Sequence, residues 1–313
     1  MNRPPSIPRC KRIALASRRK TTSMAVFLGF FALPALCFCS CAKTPAPDTA
    51  VTPVTPVTQD GQAVWYEAGA GENGAEKRAM EQLLKQALLA AELPVGVAGH
   101  VLDKASEGPS FILDLLICLS GEPELRALVD KSHPLPDGYE PDDLVELTGP
   151  SYRVSRQGHL LRRAAAESLE EMAAAAGAEG IRLMASSAYR SYAYQREVYA
   201  RNVREMGQEA ADRESARPGY SQHQTGLVVD FGSIDDSFAA TPAGRWMSAR
   251  ASGFGWSLSF PEGYEAVTGY RWESWHYRYV GQDLAAFIDS YFGGVQQYAL
   301  RFIHEWESLE KTR

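Results

Sequence analysis

The run Gly226-Leu227-Val228-Val229-Asp230-Phe231 places the tightest constraint on this 313-residue chain. Its apolar character reads as a buried strand, yet it carries a carboxylate near its end. A buried charge is costly unless it is paired or bound to a metal. Partners for Asp230 must therefore converge on it from other parts of the chain. With 45% hydrophobic and 10% aromatic residues, the chain can build the core that this strand requires.

Candidate partners stand in two unusual segments. In Ser221-Gln222-His223-Gln224-Thr225-Gly226, the glycine lets the chain turn sharply between the histidine and the strand. His223 and Asp230, brought together at a strand mouth, are suitable nitrogen and oxygen ligands for zinc. Trp272-Glu273-Ser274-Trp275-His276 offers a third ligand at His276, completing a three-ligand site with an open fourth position. Glu273 could then act as general base toward a water at that position. Ideal strand alternation would send Glu273 and His276 to opposite faces, so this role requires a bulge or a strand end at Ser274. A third segment, Ser186-Ser187-Ala188-Tyr189-Arg190-Ser191, places an arginine where it can grip a carboxylate or steady an oxyanion, and Ser221 could bond the same carboxylate. Each residue taken singly also has an ordinary structural reading, as a satisfied histidine or an ion-pair partner. The three segments occurring in this order within one domain are what point to a site.

Periodicity supplies the frame. Met80, Leu83, Leu84, Ala87, Leu88 and Ala91 stripe a helix that Pro94 stops, and Phe111 to Leu119 reads as an apolar helix or turn. Leu128 to Leu147, with three prolines, reads as an extended strap. A helix striped by Leu161, Ala165, Leu169, Met172 and Ala176 precedes a short strand at Ile181 to Ser186, and Ser191 can cap a helix from Tyr192 to about Met206. Another helix opens at Pro242, aromatic strands follow at Trp256 to Phe260 and Tyr270 to Tyr277, and helices over Gln282–Tyr291 and Val295–Leu309 end the chain. Strands and helices in this irregular alternation indicate an α+β fold. The expected organisation is a signal peptide at 1–41, a Pro/Thr-rich linker at 42–62, a helical segment at 63–127 and a catalytic domain at 128–313.

Residues before Cys41 hold seven basic and no acidic side chains; the remainder has 25 basic against 38 acidic residues, a net of −13. Such a remainder repels phosphate backbones, which argues against nucleic-acid binding. Arg18, Arg19 and Lys20 followed by the apolar Met24 to Leu36 read as an export signal. Its end, Phe38-Cys39-Ser40-Cys41, resembles a bacterial lipoprotein signal with Cys41 as the lipidated residue; an ordinary signal peptide and an uncleaved anchor are the alternatives. All three place the domain outside the cytoplasmic membrane, in the cell envelope. Cys118 alone lies beyond this stretch, so no internal disulfide follows from it, and a buried apolar thiol is expected.

Together the three segments resemble the zinc D-alanyl-D-alanine carboxypeptidases of the VanY type, relatives of the VanX dipeptidases and of hedgehog domains. The likeness runs from about Leu128 to Gly281. It includes the strap Leu-Val-Asp-Lys-Ser-His-Pro-Leu-Pro, Tyr189-Arg190-Ser191-Tyr192 with Gln195, the Ser-Ala-x-Pro-Gly run at Ser215 to Gly219, and Thr268-Gly269-Tyr270. The resemblance implies an antiparallel sheet with flanking helices and one zinc ion on His223, Asp230 and His276. It implies Glu273 as base and substrate contacts at Arg190 and Ser221, with Ser187, Tyr189 and Gln195 beside them. It further implies peptidoglycan stem peptides as substrate; the leader adds a lipid anchor to the membrane, and a monomer is expected. Gln222 stands where glutamate is common and Ser274 where proline is common, and Leu258-Ser259-Phe260-Pro261 replaces the usual Arg-Tyr-Pro. These departures leave the ligands and base intact and bear on specificity. An L,D-carboxypeptidase, a crosslink endopeptidase and a catalytically silent zinc-binding module are the alternative readings.

Overall fold

The computed structural model describes residues 74–312. The signal, lipidation and linker expectations at residues 1–62, Cys41 included, lie outside the described residues. Three helices come first: α1 (Gly74–Ala90), α2 (Val95–Glu107) and α3 (Ser110–Ser120). The strap that follows ends in strand β1 (Leu144–Glu146). Then come β2 (Arg153–Val154), β3 (Leu160–Arg162), α4 (Arg163–Ala178), β4 (Met184–Ser187), α5 (Tyr192–Met206) and α6 (Gln208–Glu214). Strand β5 (Val228–Phe231), helix α7 (Pro242–Arg250), strand β6 (Trp256–Leu258), the single turn α8 (Glu265–Thr268), strand β7 (His276–Tyr279), α9 (Gln282–Phe292) and α10 (Gln296–Lys311) complete it.

Five strands form one sheet in the order β2-β4-β5-β7-β6, antiparallel except for the β2–β4 pair, while β1 and β3 form a separate antiparallel pair. This is the α+β sheet with flanking helices that the sequence indicates. Strand β5 is central and buried along its whole length. Alternation divides its side chains between the two faces. Val229 and Phe231 join Tyr277, Trp256 and Ala185 in an apolar core under α4, to which Leu169, Met172 and Ala173 contribute. Val228 and Asp230 point to the other face, opposite Arg278 and His276.

A second apolar core lies among the helices at the two ends of the described chain. Leu84 and Leu88 of α1, Phe111 and Leu115 of α3, Phe287 of α9 and Phe302 and Trp306 of α10 share it. Phe111 sits at its centre, 4.9 Å from Tyr291 edge to face and 5.5 Å from Phe287. A ring buried to this degree contributes roughly 2–3 kcal/mol through loss of apolar surface. Arg278, fully buried on β7, reaches the carbonyls of Glu124 and Leu125 at 3.2 Å and so ties the sheet to the segment after α3.

Several boundaries differ from the periodic reading for local reasons. Leu161 belongs to β3, whose strand leads directly into α4 at Arg163, so its burial comes from sheet-side packing and not from the helix stripe. The strand expected at Tyr270 to Tyr277 starts only at His276, because the preceding residues form a loop and a tight turn. Helix α5 matches expectation, with Ser191 Oγ accepting the Tyr194 amide at 3.2 Å.

Cys118 is buried, and burial, assisted by Asp283 and Asp114, pushes its thiol up to about 12. The native protein at about pH 8 is therefore expected to leave Cys118 unalkylated, with full labelling only in denaturant. Mass spectrometry of the Cys118 peptide reads this directly, and labelling under native conditions would contradict the packing described.

Candidate metal centre

Asp230 sits at the middle of the sheet, with Ser187 of β4 on one side and His276 of β7 on the other. The Ser187 position depends on an irregularity. Ala185 pairs with Phe231 and Ser187 with Asp230, so two steps along β4 match one along β5. The extra residue, Ser186, is a bulge that turns Ser187 onto the Asp230 face. There Ser187 Oγ accepts hydrogen bonds from Arg190 Nε at 3.0 Å and Nη2 at 2.8 Å, and Nη2 also reaches Asp230 Oδ2 at 2.7 Å.

His223 enters on the 3-10 turn Gln222–Thr225, which ends in Gly226 at φ +71°. A Cβ at Gly226 would also lie 2.9 Å from Leu144 Cδ2, so both conformation and space require glycine there. The Ala188 carbonyl lies 2.7 Å from His223 Nδ1 and can only accept, which assigns the proton to Nδ1. Nε2 is left with its lone pair facing Asp230 Oδ2, 3.2 Å away. His276 Nδ1 lies 3.2 Å from Asp230 Oδ1, and the two imidazole rings are nearly perpendicular at 4.9 Å.

Among the described residues these three form the one cluster of His, Cys, Asp or Glu side chains close enough to share an ion, with ligand atoms within 4.8 Å of one another. Asp230 Oδ1 is a buried acceptor that receives no hydrogen bond. A tetrahedral zinc with ligands near 2.0–2.1 Å spaces neighbouring donors by about 3.3 Å, close to each His–Asp separation, with His223 facing one oxygen of the carboxylate and His276 the other. The donor set and its spacing therefore fit a divalent cation.

The electrostatics divide the two histidines: burial acts to lower His276, but Asp230 and Glu273 outweigh it and raise its pKa. Burial lowers the His223 pKa to about 4, with Arg190 adding to the effect, so the ring is neutral and able to ligate at neutral pH. Burial acts to raise Asp230, but His223, His276 and Arg190 outweigh it and hold the carboxylate well below its ordinary range.

Glu273 reaches the same place by a turn. The His276 amide donates to the Glu273 carbonyl at 3.2 Å, with Ser274 and Trp275 at the corners. This i to i+3 closure brings both side chains to one side, and Glu273 Oε2 lies 3.4 Å from His276 Nδ1. The strand-alternation difficulty is resolved because β7 has not yet begun at Glu273. Burial raises the Glu273 pKa against the opposing pull of His276 and Arg190, which strengthens it as a base.

These groups line a cleft of about 420 Å³ together with Ser187, Gln195 and Ser221. Gln195 supports the cleft wall, its Nε2 donating to the Ala216 carbonyl at 2.8 Å. Tyr189 is a different case. It does not line the cleft, and its hydroxyl is turned toward Glu140 of the strap. Tyr189 lies two residues beyond the end of β4, where its amide donates to the Leu160 carbonyl of β3 at 3.0 Å. His159, which the motifs do not single out, does line the cleft. Ser155 Oγ donates to the Ser186 carbonyl at 2.9 Å and accepts at 3.1 Å from His159 Nε2. Burial and the nearby Arg156 and Arg190 keep this ring neutral. Its Gly-His-Leu-Leu surroundings carry no signal beyond a serine four residues earlier.

A family model described as D-alanyl-D-alanine carboxypeptidase, VanY, matches residues 158–282. A carboxypeptidase of Bacillus subtilis, YodJ, whose assignment is provisional, is 35% identical over 196 residues, covering 59% of this chain and 71% of YodJ. The chain belongs to the VanY family. The bifunctional D-Ala-D-Ala dipeptidase and carboxypeptidase VanXYC of Enterococcus gallinarum is 30% identical over 180 residues, covering 55% of this chain and 91% of the relative. The solved structure of the LdcB LD-carboxypeptidase superposes with a TM-score of 0.50 at 36% identity, covering 55% of this chain and 88% of LdcB. As a member of the VanY carboxypeptidases, the protein is a peptide hydrolase. The matched segment begins just before β3 and ends beyond β7, so it encloses every cleft residue named above except Arg156.

The Arg190–Asp230 pair is largely withdrawn from water, and removing one member of such a pair strands the other. Arg190→Ala is expected to lower the unfolding free energy of the metal-free protein by about 3 kcal/mol. Urea denaturation measures this, and a change near zero would mean that Arg190 does not hold the buried carboxylate.

Proposed function

We propose that this protein is a zinc-dependent carboxypeptidase that releases the terminal D-alanine from peptidoglycan stem peptides ending in D-Ala-D-Ala. The observation that carries the reading is the convergence of His223 Nε2, Asp230 and His276 Nδ1 beside Glu273, in one cleft, in a member of the VanY family. One zinc ion held by the three ligands supplies Lewis acidity toward water and the scissile carbonyl. Glu273, raised by burial, takes a proton from the attacking water and passes it to the leaving amine. Arg190, fixed by Ser187 and Asp230, offers a guanidinium to the developing oxyanion or to the substrate carboxylate. Ser221 and Gln195 line the wall along which the peptide lies.

A second reading has its own support. The likeness to LdcB, an LD-carboxypeptidase, favours removal of D-alanine from a tetrapeptide stem by the same groups. Mass spectrometry of products from defined pentapeptide and tetrapeptide stems separates the two. Loss of one alanine from the pentapeptide alone supports the D,D reading, and loss from the tetrapeptide supports the L,D reading. Either activity is expected to vanish with chelator and return with zinc. Glu273→Gln is expected to reduce turnover by roughly 10²–10⁴-fold while zinc remains bound. Chelator-insensitive release, or full activity in Glu273→Gln, would defeat the mechanism. Bound zinc with no cleavage of any stem would indicate a silent binding module, against which the intact, cleft-facing Glu273 argues.

The sequence of the leader supports work at the cell envelope, with Cys41 carrying the lipid. Radiolabelled palmitate is expected to enter the wild-type protein and not Cys41→Ala, and equal labelling of both would refute the anchor.

A further inference from the structure

Beyond Asp230 and Glu273, His276 has a third polar neighbour. Its Nε2 lies 3.3 Å from Gln222 Oε1, and the same oxygen accepts from Ser259 Oγ at 2.8 Å. An amide oxygen that already accepts from the serine hydroxyl can receive a second donor, so Nε2 can donate to Gln222 and leave Nδ1, which faces Asp230 and Glu273, to a cation. Ser259 grips His276 a second time, its amide donating to the His276 carbonyl at 3.2 Å. Behind Ser259 stands Gln296, the first residue of α10, whose Oε1 is 3.4 Å from Ser259 Oγ and whose Nε2 donates to the Ser257 carbonyl. Gln222, Ser259, Gln296 and His276 are all buried, so this chain of polar groups is shielded from water.

We infer that Gln222 is the positioning residue of the metal centre: its neutral amide fixes the tautomer and ring direction of His276 without adding charge behind the ligand. The inference rests on the reading of His276 as a ligand. Outer hydrogen bonds of this kind govern metal affinity by 10–100-fold when removed. A carboxylate in the same place would preserve the orientation and add negative charge, making the imidazole a stronger donor.

The test is zinc affinity, measured on the full chain by competition with a chromogenic chelator, for wild type, Gln222→Ala, Gln222→Glu and Ser259→Ala. Circular dichroism melts of the metal-free proteins report folding, and the cobalt(II) absorption spectrum reports ligand geometry. Gln222→Ala is expected to bind zinc roughly 10–100-fold more weakly with an altered cobalt spectrum, and Gln222→Glu to bind at least as tightly as wild type. Ser259→Ala is expected to weaken binding to a smaller extent. A folded Gln222→Ala with wild-type affinity overturns the inference, as does a folded Gln222→Glu as weak as the alanine variant. If Gln222→Ala does not fold, unchanged affinity in Ser259→Ala overturns it. A wild-type protein that binds no zinc defeats the metal reading itself, which keeps the two failures distinct.

Discussion

A carboxylate on the central strand of a sheet, with almost no access to water, organises the site of this protein. Asp230 is tolerable only because Arg190 meets one oxygen and two histidines face the carboxylate, one toward each oxygen. Each partner arrives by a separate device: a bulge for Ser187 and hence Arg190, a glycine-ended turn for His223, register on β7 for His276. The apolar face of the same strands, packed on α4, keeps those devices in register. Core and site are thus two faces of one sheet, and a one-residue slip of β5 would exchange them.

Some of this could be read from the chain before any coordinates. Asp230 announced itself because a charge at the end of an apolar run needs partners, and the histidines because their surroundings were unusual. Helices α1 and α5 followed from periodicity and a serine cap. Other parts could not be read. The Glu273–His276 turn is invisible to strand alternation, since three aromatics in six residues argue for a strand until backbone bonding shows otherwise. Strands of two or three residues such as β2 and β3 are too short to display a period. His159 and the Gln222–Ser259 contact depend on residues brought together from distant segments, for which spacing along the chain holds no trace. Tyr189 lies within a legible motif, yet its hydroxyl turns to Glu140 of the strap, a contact between distant segments.

The strap links these parts. Asp130 accepts the amides of Ser132 and His133, and its second oxygen takes Gln297 of α10 at 2.6 Å. Further along, the Leu135 amide donates to the Gly219 carbonyl, and Gln224 Nε2 donates to the Tyr139 carbonyl at 3.0 Å. A segment with three prolines and little regular structure therefore satisfies its polar groups by bonding the terminal helix at one end and the His223 turn at the other. Both neighbouring glutamines of α10 are used in this way, Gln296 toward β6 and Gln297 toward the strap.

The helical core closes between segments at opposite ends of the described chain, since α1 packs against α10. Contacts so distant in sequence carry the entropic cost of closing the chain between them. Leu84, Leu88 and Phe111 find their apolar partners on the last two helices. Losing either α1 or α10 would uncover the same apolar surface, so two distant helices depend on one another while the sheet between them in sequence carries the chemistry.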